Sequence, residues 1–395
     1  MKVSSLSKAA APALSWCSKF TRLNIPTLSS KEVTLSNIYL RDNSQSTGSL
    51  NPTSQQRLHL IKDIDLQVHP VDVRLTDDAS GFKVIWSDSD ESSYGFDWIR
   101  ENVLKTELRS NIRKEPWSTR EMSREKVSLD YKDVLSNTEA LRKCYETIWK
   151  YGLCILRGSP LEPRGVVDVS RLIGDIKSSR EYAEADSSGE RYFELNSRED
   201  KAHFDLGYSD KPLGMHTDNS DLELPAGVIS LQVVKQAERG GDSVFADCIK
   251  AADILRAEDP TAFHILTTWP VVNRFHGSVG ISPVIELHST SSASILTGHT
   301  DVKRVKFCEL SRSPWQPMIP QTDMPQWYRA LKKFGLLVNS DRMVFQTLLE
   351  PSNIVLFDNW RLVHARRAFF GERTMIGCYI THEDFIYKGR LIGAF

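Results

Sequence analysis

The chain has 395 residues, of which 50 are Lys or Arg and 51 are Asp or Glu, so its formal charge is −1. This balance gives no reason to expect binding to nucleic acid or to an anionic membrane surface. No apolar run approaches the roughly 18–20 residues that cross a bilayer, so we expect no membrane span. The length and a hydrophobic content of 40% indicate a globular protein with one large domain and a smaller one.

The first 31 residues contain no Asp or Glu but many Lys, Ser and Ala, which is typical of a mitochondrial presequence. They hold a single arginine, however, and Pro12 interrupts their apolar stretch, so a flexible terminus explains them equally well. We therefore expect residues 1–31 to be a flexible or targeting segment of a cytoplasmic or mitochondrial protein. The six cysteines form no CxxC pair and are too sparse for a disulfide scaffold, which favours an intracellular protein with buried thiols.

Residues 32–110 have the pattern of a small β domain. KEVTLSNIYLRDN at 31–43 alternates apolar and polar residues, as a half-buried strand does. PVDVRLTDDASGFKVIWSDSD at 70–90 holds two alternating runs around a turn-forming segment and predicts a hairpin. NSQSTGSLNPTSQQR at 43–57 is rich in Ser, Asn, Pro and Gly and predicts a loop. The alternating charges of residues 111–128 indicate a linker to a second domain at 129–395.

The second domain is predicted to begin with a helix at 136–152, where Ser136 or Asn137 caps the start and Gly152 suits the end. A buried strand, LCILRG, follows at once. Further strands are predicted at 226–236, 353–359 and 374–384, and further helices at 249–259 and 324–335. This order predicts a mainly β fold, with an antiparallel core and helical supports.

GMHTDNS places His216 and Asp218 two residues apart, so that in extended structure both side chains point to the same face. Far downstream, FDNWRLVHARRAF places His364 after a strand-like run. Two imidazoles and one carboxylate form the facial triad of non-haem Fe(II) oxygenases, which leaves coordination positions open. Spacing alone also allows a surface histidine at 216 and a satisfied core histidine at 364.

Arg373 opens a strand in which residues 373, 375, 377 and 379 share one face, so Arg373 and Tyr379 point the same way. A guanidinium inside the core offers two parallel hydrogen bonds to a dicarboxylate co-substrate, although a salt bridge at the rim is the alternative. GGDS at 240–243 predicts a tight turn followed by the Ser243 hydroxyl, which can assist the same carboxylate. Alone, that motif predicts only a hairpin turn.

Together these motifs resemble the taurine dioxygenase superfamily, and within it the branch of γ-butyrobetaine hydroxylase and trimethyllysine dioxygenase. With IYLRDN at 38–43, the resemblance spreads over residues 35–395. The other segments that carry it are YGLCILRG at 151–158, HTDNS at 216–220, PAGVISLQVVKQAERGGDS at 225–243, FDNWRLVHARRAF at 357–369 and RTMIGCYITHED at 373–384.

The resemblance implies a small N-terminal β domain and a double-stranded β-helix (jelly-roll) domain at 129–395. It implies an Fe(II)- and 2-oxoglutarate-dependent dioxygenase that uses O2 to oxidise an unactivated C–H bond of a small molecule. By position, His216, Asp218 and His364 would ligate the iron. Arg373 would bind the distal carboxylate of 2-oxoglutarate, with help from Ser243. A homodimer is implied as well.

Tyr208 and Tyr379 match two aromatic positions that cage a trimethylammonium group in the betaine enzymes, where cation–π attraction favours such a cage. Read without the resemblance, Tyr208 packs a loop and Tyr379 fills the barrel. Three positions around the pocket complete the expected substrate contacts. They are Asn219, where an aromatic residue is common in the branch, Glu309, near an asparagine-rich contact, and Arg312, which stays in register.

The chain departs from the pattern of this branch at the structural zinc site. The branch carries a Cys-rich zinc site after the LRDN motif, but no cysteine occurs here between Cys17 and Cys144, so we expect no structural zinc. Three functions therefore compete: hydroxylation of a γ-butyrobetaine-like substrate; hydroxylation, desaturation or rearrangement of a secondary metabolite; and a non-catalytic barrel used for binding. A hydrolytic zinc enzyme is disfavoured because no general base is evident.

Overall fold

The computed structural model describes residues 13–104, 112–177, 183–185, 191–197, 206–288 and 301–395. The chain divides into two compact units, Met1–Thr106 and Glu107–Phe395. None of the described helices is both long and apolar enough to cross a membrane. Among the six free cysteines four are buried, while Cys17 is exposed and Cys308 is partly exposed, so the expectation of buried thiols is wrong for Cys17.

The first unit contains two three-stranded antiparallel sheets, ordered β1-β2-β3 and β4-β5-β6. Their strands are β1 (Ala13–Trp16), β2 (Phe20–Asn24), β3 (Val33–Ser36), β4 (Pro70–Leu75), β5 (Gly81–Trp86) and β6 (Glu91–Gly95). The helical segments are α1 (Asn37–Asp42), α2 (Phe96–Ile99), which continues as a π-helical stretch at Arg100–Leu104, and a 3-10 turn at Ile61–Asp63. The predicted hairpin is β4–β5, with Val73 opposite Val84.

Two predictions for this unit are wrong. Residues 13–24, expected in a flexible or targeting segment, form β1 and β2, because Leu23 and Ile25 enter the core of the unit. The predicted strand at 31–43 ends at Ser36 and continues as α1, because buried Asn37 accepts a hydrogen bond from Thr21 and donates one to the Cys17 carbonyl. Residues 1–12 lie outside the described residues.

The segment that lacks zinc cysteines is held by a carboxylate. Asp90 accepts hydrogen bonds from the hydroxyls of Ser44 (2.8 Å), Ser46 (2.8 Å) and Ser92 (2.7 Å). Arg41 lies 3.9 Å from the same carboxylate. This serine cluster ties the loop at 43–50 to β6. Burial opposes ionisation of Asp90, but the three hydroxyls and Arg41 lower its pKa.

The second unit is built on two facing sheets. The strands are β7 (Ser128–Asp130), β8 (Leu153–Arg157), β9 (Ile176–Lys177), β10 (Ala183–Ala185), β11 (Arg191–Asn196), β12 (Leu213–His216), β13 (Val228–Lys235), β14 (Arg239–Gly240), β15 (Ser243–Asp247), β16 (Val271–Phe275), β17 (Ser278–Ser282), β18 (Ile285–Leu287), β19 (Val302–Val305), β20 (Phe345–Thr347), β21 (Asn353–Asp358), β22 (Leu362–Arg366), β23 (Phe369–Phe370) and β24 (Thr374–Ile380).

The helices of this unit are α3 (Tyr131–Ser136), α4 (Thr138–Tyr151), α5 (Pro163–Ile173), α6 (Cys248–Glu258), α7 (Pro260–Thr268), α8 (Met324–Val338) and α9 (His382–Leu391), with 3-10 turns at Glu125–Val127 and Leu206–Tyr208. As predicted, Asn137 caps α4 and Gly152 ends it with a left-handed φ of 76°. The strands and helices predicted at 153–158, 226–236, 249–259, 324–335, 353–359 and 374–384 are confirmed within a few residues.

The major sheet has the order β10-β11-β24-β13-β21-β8-β7, with β9 beside β24, and the minor sheet has the order β12-β22-β15-β20. Alternate residues of both sheets meet in one core, which includes Ile229, Phe245, Phe357, Leu362 and Met375. Helices α4, α5 and α9 pack on the outer face of the major sheet, and α6, α7 and α8 pack beside the minor sheet. This is the expected double-stranded β-helix with helical supports.

The predicted linker at 111–128 belongs to this unit. Trp117 and Val127 are buried in the core between the sheets, and the Trp117 backbone N–H donates to the Asp247 carboxylate at 3.0 Å. The alternating charges that suggested a linker are the solvent-facing residues of a segment whose apolar members enter the barrel.

Candidate metal centre

Antiparallel pairing of β12 with β22 brings the two predicted histidine ligands together. His216 ends β12 and lies directly opposite His364 in β22, with ring centroids 4.2 Å apart. Asp218 follows two residues later, and its Oδ1 lies 3.1 Å from Nε2 of His216 and 3.8 Å from Nε2 of His364. One ligand atom from each of the three residues lies within 4.8 Å of the others, which is the spacing of a shared ion.

A hydrogen bond to the backbone fixes the orientation of the His216 ring. Its Nδ1 lies 2.8 Å from the Gly214 carbonyl oxygen, which only accepts, so Nδ1 carries a proton. Nε2 lies 3.1 Å from Oδ1 of Asp218. At this distance either a proton or a metal ion lies between the nitrogen and the carboxylate oxygen. Such orientation of a ligating histidine by a backbone carbonyl is common around metals.

The charge states also suit a metal. Burial opposes ionisation of Asp218, but His364, His216 and the Tyr379 hydroxyl together lower its pKa to about 2. Burial, and then the neighbouring His216, lower the pKa of His364 to about 3. At neutral pH the carboxylate is charged and the His364 imidazole is neutral, and these are the forms that bind a metal.

Two side chains hold Asp218 itself. The Tyr379 hydroxyl donates to Oδ2 of Asp218 at 3.1 Å. The Asn359 side chain binds both backbone groups of Asp218: its Oδ1 accepts from the N–H at 3.0 Å, and its Nδ2 donates to the carbonyl at 3.1 Å. Sequence reasoning gave Asn359 no role, although it stands within the FDNWRLVH motif. Only the fold, which joins positions 141 residues apart, shows its contact with Asp218.

Arg373, expected to bind 2-oxoglutarate, immediately precedes β24 and is only 5% exposed. Within the described part of the chain, its one hydrogen bond is a long contact of 3.5 Å to the Gly241 carbonyl, and its buried Nε has no partner. Among the described residues, no carboxylate lies within ion-pair distance of it. Burial, and then Arg366, lower its pKa to about 10. A buried guanidinium without a counter-ion fits the carboxylate of a bound co-substrate.

Ser243 is the first residue of β15 and is buried opposite Arg366 of β22. Phe245, on the same face of β15, lies opposite His364, so Ser243 belongs to the inner face that carries the distal histidine. Two residues earlier, a Cβ on Gly241 would approach the Arg373 side chain to 3.2 Å. The structure therefore brings Ser243, Arg373 and the triad to the same side of the barrel wall.

The expected substrate contacts are more scattered. Tyr379 lies at Asp218, and its ring stacks on Phe193 with centroids 4.6 Å apart. Tyr208 is buried in the 3-10 turn at Leu206–Tyr208, which is anchored because Arg366 donates to the carbonyls of Gly207 and Ser209. Asn219 adopts a left-handed φ of 55° in the turn after Asp218, and its carbonyl accepts from Leu222 N–H.

Glu309 and Arg312 are not brought to the triad. Both line a groove of about 380 Å³ beside α8, and no triad residue lines this groove. The Arg312 guanidinium lies over the rings of Trp327 (5.9 Å) and Tyr328 (5.6 Å) of that helix. Cys308 forms an isolated backbone β-bridge with His216, so this segment passes beside β12.

Comparisons with known proteins agree with this architecture. Residues 18–100 match the family model described as gamma-butyrobetaine hydroxylase-like, N-terminal. The chain is also similar in fold to the crystal structure of AAD-2 in complex with Mn(II) and N-oxalylglycine, with a TM-score of 0.50, 13% identity, and coverage of 68% of this chain and 96% of that chain.

Three relatives align over most of their length. The dioxygenase str8 of Strobilurus tenacellus is 27% identical and aligns over 90% of this chain and 84% of its own length. The gamma-butyrobetaine dioxygenase of Pseudomonas sp. (strain AK-1) is 27% identical over 89% and 88%. The mitochondrial trimethyllysine dioxygenase of Homo sapiens is 23% identical over 90% and 82%.

Residues 114–379, about two thirds of the chain, match the model of the taurine catabolism dioxygenase TauD, TfdA family. That match covers both sheets, the paired histidines and Arg373, and the relatives that align along the chain are dioxygenases. The chain belongs to the TauD, TfdA family and is an iron- and 2-oxoglutarate-dependent dioxygenase.

Proposed function

We propose that the enzyme holds Fe(II) through His216, Asp218 and His364, and 2-oxoglutarate through Arg373 with the help of Ser243. The observation that carries the metal assignment is the convergence of one ligand atom each from His216, Asp218 and His364 within 4.8 Å of one another. The partnerless Nε of buried Arg373 supports the co-substrate assignment. When bound, iron and 2-oxoglutarate together supply the power to oxidise an unactivated C–H bond with O2.

The chain's own residues perform the remaining tasks. His216, Asp218 and His364 would hold the metal through three ligand atoms and would leave positions for co-substrate and O2. Arg373 would bind the far carboxylate of 2-oxoglutarate and so orient the molecule. The apolar core that includes Phe245 and Phe357 excludes water from the wall behind His364, whose ring lies 4.8 Å from that of Phe357.

The substrate that we propose is a small quaternary amine of the γ-butyrobetaine class. One feature that supports this is the alignment of gamma-butyrobetaine and trimethyllysine dioxygenases along most of the chain. The other is the presence of aromatic side chains, Tyr208 and Tyr379, at the two positions expected to contact the ammonium group. Aromatic faces attract a trimethylammonium group, and a buried position strengthens that attraction.

A second candidate is a substrate of another class, such as a secondary metabolite that is hydroxylated, desaturated or rearranged. It is favoured by the Tyr379 hydroxyl, which is engaged with Asp218, and by Glu309 and Arg312, which line the groove beside α8. A wall that differs from that of the betaine enzymes selects a different ligand.

Turnover distinguishes these functions. The metal-free protein is loaded anaerobically with Fe(II) and 2-oxoglutarate, exposed to O2, and assayed for succinate with γ-butyrobetaine, trimethyllysine and their dimethylamine analogues. We expect a quaternary amine to raise succinate formation above the substrate-free background and His216→Ala to abolish the rise. If only other metabolites raise it, the second candidate holds. If no compound tested raises it, the substrate lies outside both classes.

The oligomeric state and the location stay predictions of the same proposal. We expect a homodimer, which the molar mass from light scattering tests. We expect a cytoplasmic or mitochondrial protein, and the mitochondrial trimethyllysine dioxygenase among the relatives supports the second location. Imaging of the tagged full chain, with and without residues 1–12, tests where it resides.

A further inference from the structure

Asp218 lies beyond the last residue of β12, so the strand ladder that fixes His216 does not extend to it. The Asn359 side chain takes the place of a neighbouring strand by binding the N–H and the carbonyl of Asp218 at 3.0 and 3.1 Å. Its second N–H donates to the Ala226 carbonyl at 2.9 Å. Asn359 is fully buried, and its oxygen and both of its N–H groups are thus engaged.

The two carboxylate oxygens of Asp218 have different partners. Oδ1 faces Nε2 of both histidines, whereas Oδ2 accepts from the Tyr379 hydroxyl at 3.1 Å. Rotation about the Cβ–Cγ bond of an aspartate meets only broad energy wells, so a free carboxylate can offer either oxygen or both. The Tyr379 ring cannot follow such a rotation easily, because it stacks on Phe193.

We propose that Asn359 and Tyr379 are positioning residues that present Asp218 to the metal as a ligand through one oxygen only. Asn359 fixes the main chain at the metal, and Tyr379 holds the second oxygen away from it. One-oxygen binding keeps the coordination positions that the co-substrate and O2 need. The inference rests on the proposed role of Asp218 as a metal ligand.

The test measures the affinity for a metal ion and the arrangement of its ligands, and it does not depend on turnover. Mn(II) is titrated into the metal-free full chain and free Mn(II) is followed by electron paramagnetic resonance; the visible spectrum of the Co(II) form reports the ligand arrangement. The variants are Asn359→Ala, the volume-keeping Asn359→Leu, and Tyr379→Phe. Because partners that orient a metal ligand typically contribute 10–100-fold in affinity, we expect the dissociation constant for Mn(II) to rise by about that factor in each. We also expect Tyr379→Phe to change the Co(II) spectrum.

Two control variants remove equivalent groups far from the metal. Asn353, at the other end of β21, is buried and accepts from the Glu350 N–H and from Arg124, so Asn353→Ala removes a similar amide. The Tyr145 hydroxyl donates to the carbonyls of Leu172 and Ile173, so Tyr145→Phe removes a similar hydroxyl. We expect both controls to bind Mn(II) as the parent does.

The outcomes distinguish failure of the proposed metal site from failure of the positioning roles of Asn359 and Tyr379. A parent protein that binds no Mn(II) overturns the proposed metal site itself. A parent that binds, with Asn359→Leu and Tyr379→Phe binding as tightly as their controls, overturns only this inference. If Asn359→Ala does not fold, Asn359→Leu and Tyr379→Phe decide by the same measurement.

Discussion

Two arginines of the barrel wall, Arg366 and Arg373, are both buried and close enough for one to lower the pKa of the other. Arg366 donates to the backbone carbonyls of Gly207, Ser209 and Lys211 and so fixes the loop before β12. Among the described residues, Arg373 makes one hydrogen bond, a 3.5 Å contact to the Gly241 carbonyl, and its guanidinium lies over the ring of Phe369. A buried cation that lacks acceptors is costly, so the first arginine serves the fold and the second suits a ligand.

Replacement of Arg373 tests this difference. We expect Arg373→Ala to raise the dissociation constant for 2-oxoglutarate roughly 10–150-fold, since a charge-assisted carboxylate contact contributes about 1.5–3 kcal/mol. Arg373→Lys keeps the charge but loses the two parallel hydrogen bonds, and we expect an intermediate value. Calorimetric titration of the Mn(II)-loaded protein measures both. An unchanged dissociation constant would assign the carboxylate to another residue.

At this scale, sequence reasoning succeeds where a spacing is local and fails where a contact is tertiary. His216 and Asp218 are found together because a period of two puts them on one face. The contact of Asn359 with Asp218 cannot be predicted from the sequence, because a buried amide in a turn belongs to no hydrophobic period. The groove beside α8, which Glu309 and Arg312 line, is equally invisible in the sequence, because register along the chain does not determine which neighbour a long side chain contacts.

The hairpin β16–β17 lies against the turn that follows Asp218. A Cβ on Gly280 of β17 would lie 2.7 Å from the Ser220 carbonyl oxygen and 2.8 Å from the Asp221 carbonyl carbon. This close approach brings backbone against backbone, so neither partner can turn aside as a side chain would. The turn that follows Asp218 is therefore held by Asn359 on one side and by this hairpin on the other.

Substitution of that glycine has an expected result. Gly280→Ala should displace the turn at 219–222 and lower the free energy of unfolding of the second unit by about 1–3 kcal/mol, as overpacking does. It should also weaken Mn(II) binding. Gly335→Ala in α8 is the matched control, because its Cβ would meet only Phe307 at 3.5 Å and alanine favours a helix. Urea unfolding and Mn(II) titration decide; equal behaviour of both variants would refute the close contact.

The elements themselves are largely predictable, since β13, β21, β24 and the longer helices follow clear hydrophobic periods. The failures occur where tertiary packing outweighs local pattern. Residues 37–42 alternate like a strand but turn into α1, and residues 112–128 look like a charged linker although Trp117 fills the barrel core. In both cases a single buried side chain with a distant partner decides the outcome.

At the scale of the whole molecule, the two units differ in the interactions that stabilise their buried carboxylates. The second unit holds the proposed metal ligands, whereas the first unit has Asp90 with its serine hydroxyls and Arg41 at the place where the resemblance implied zinc cysteines. A carboxylate satisfied by hydroxyl donors has no need of a metal. The two units should therefore respond to chelators in different ways.

Metal analysis and unfolding test this division. We expect the purified protein to contain no stoichiometric zinc, and chelation to lower the unfolding temperature of the second unit only. Asp90→Ala should destabilise the first unit and leave Mn(II) affinity unchanged. Because the pKa of Asp90 is lowered in the folded state, its contribution is present above the unfolded pKa and is lost as pH falls through the lowered value. Calorimetry of the parent and the variant at neutral and acidic pH measures this; zinc retained at one equivalent would contradict it.

The pairing of His216 with His364 also sets an order of events during biosynthesis. The two ligands are 148 positions apart along the chain, and a contact of such separation closes only after most of the polypeptide has been made. A nascent chain that has not yet emerged past residue 364 has no complete metal site. Under the proposed metal assignment, iron would bind only the closed barrel, and by mass action it would protect that form from unfolding and from proteolysis.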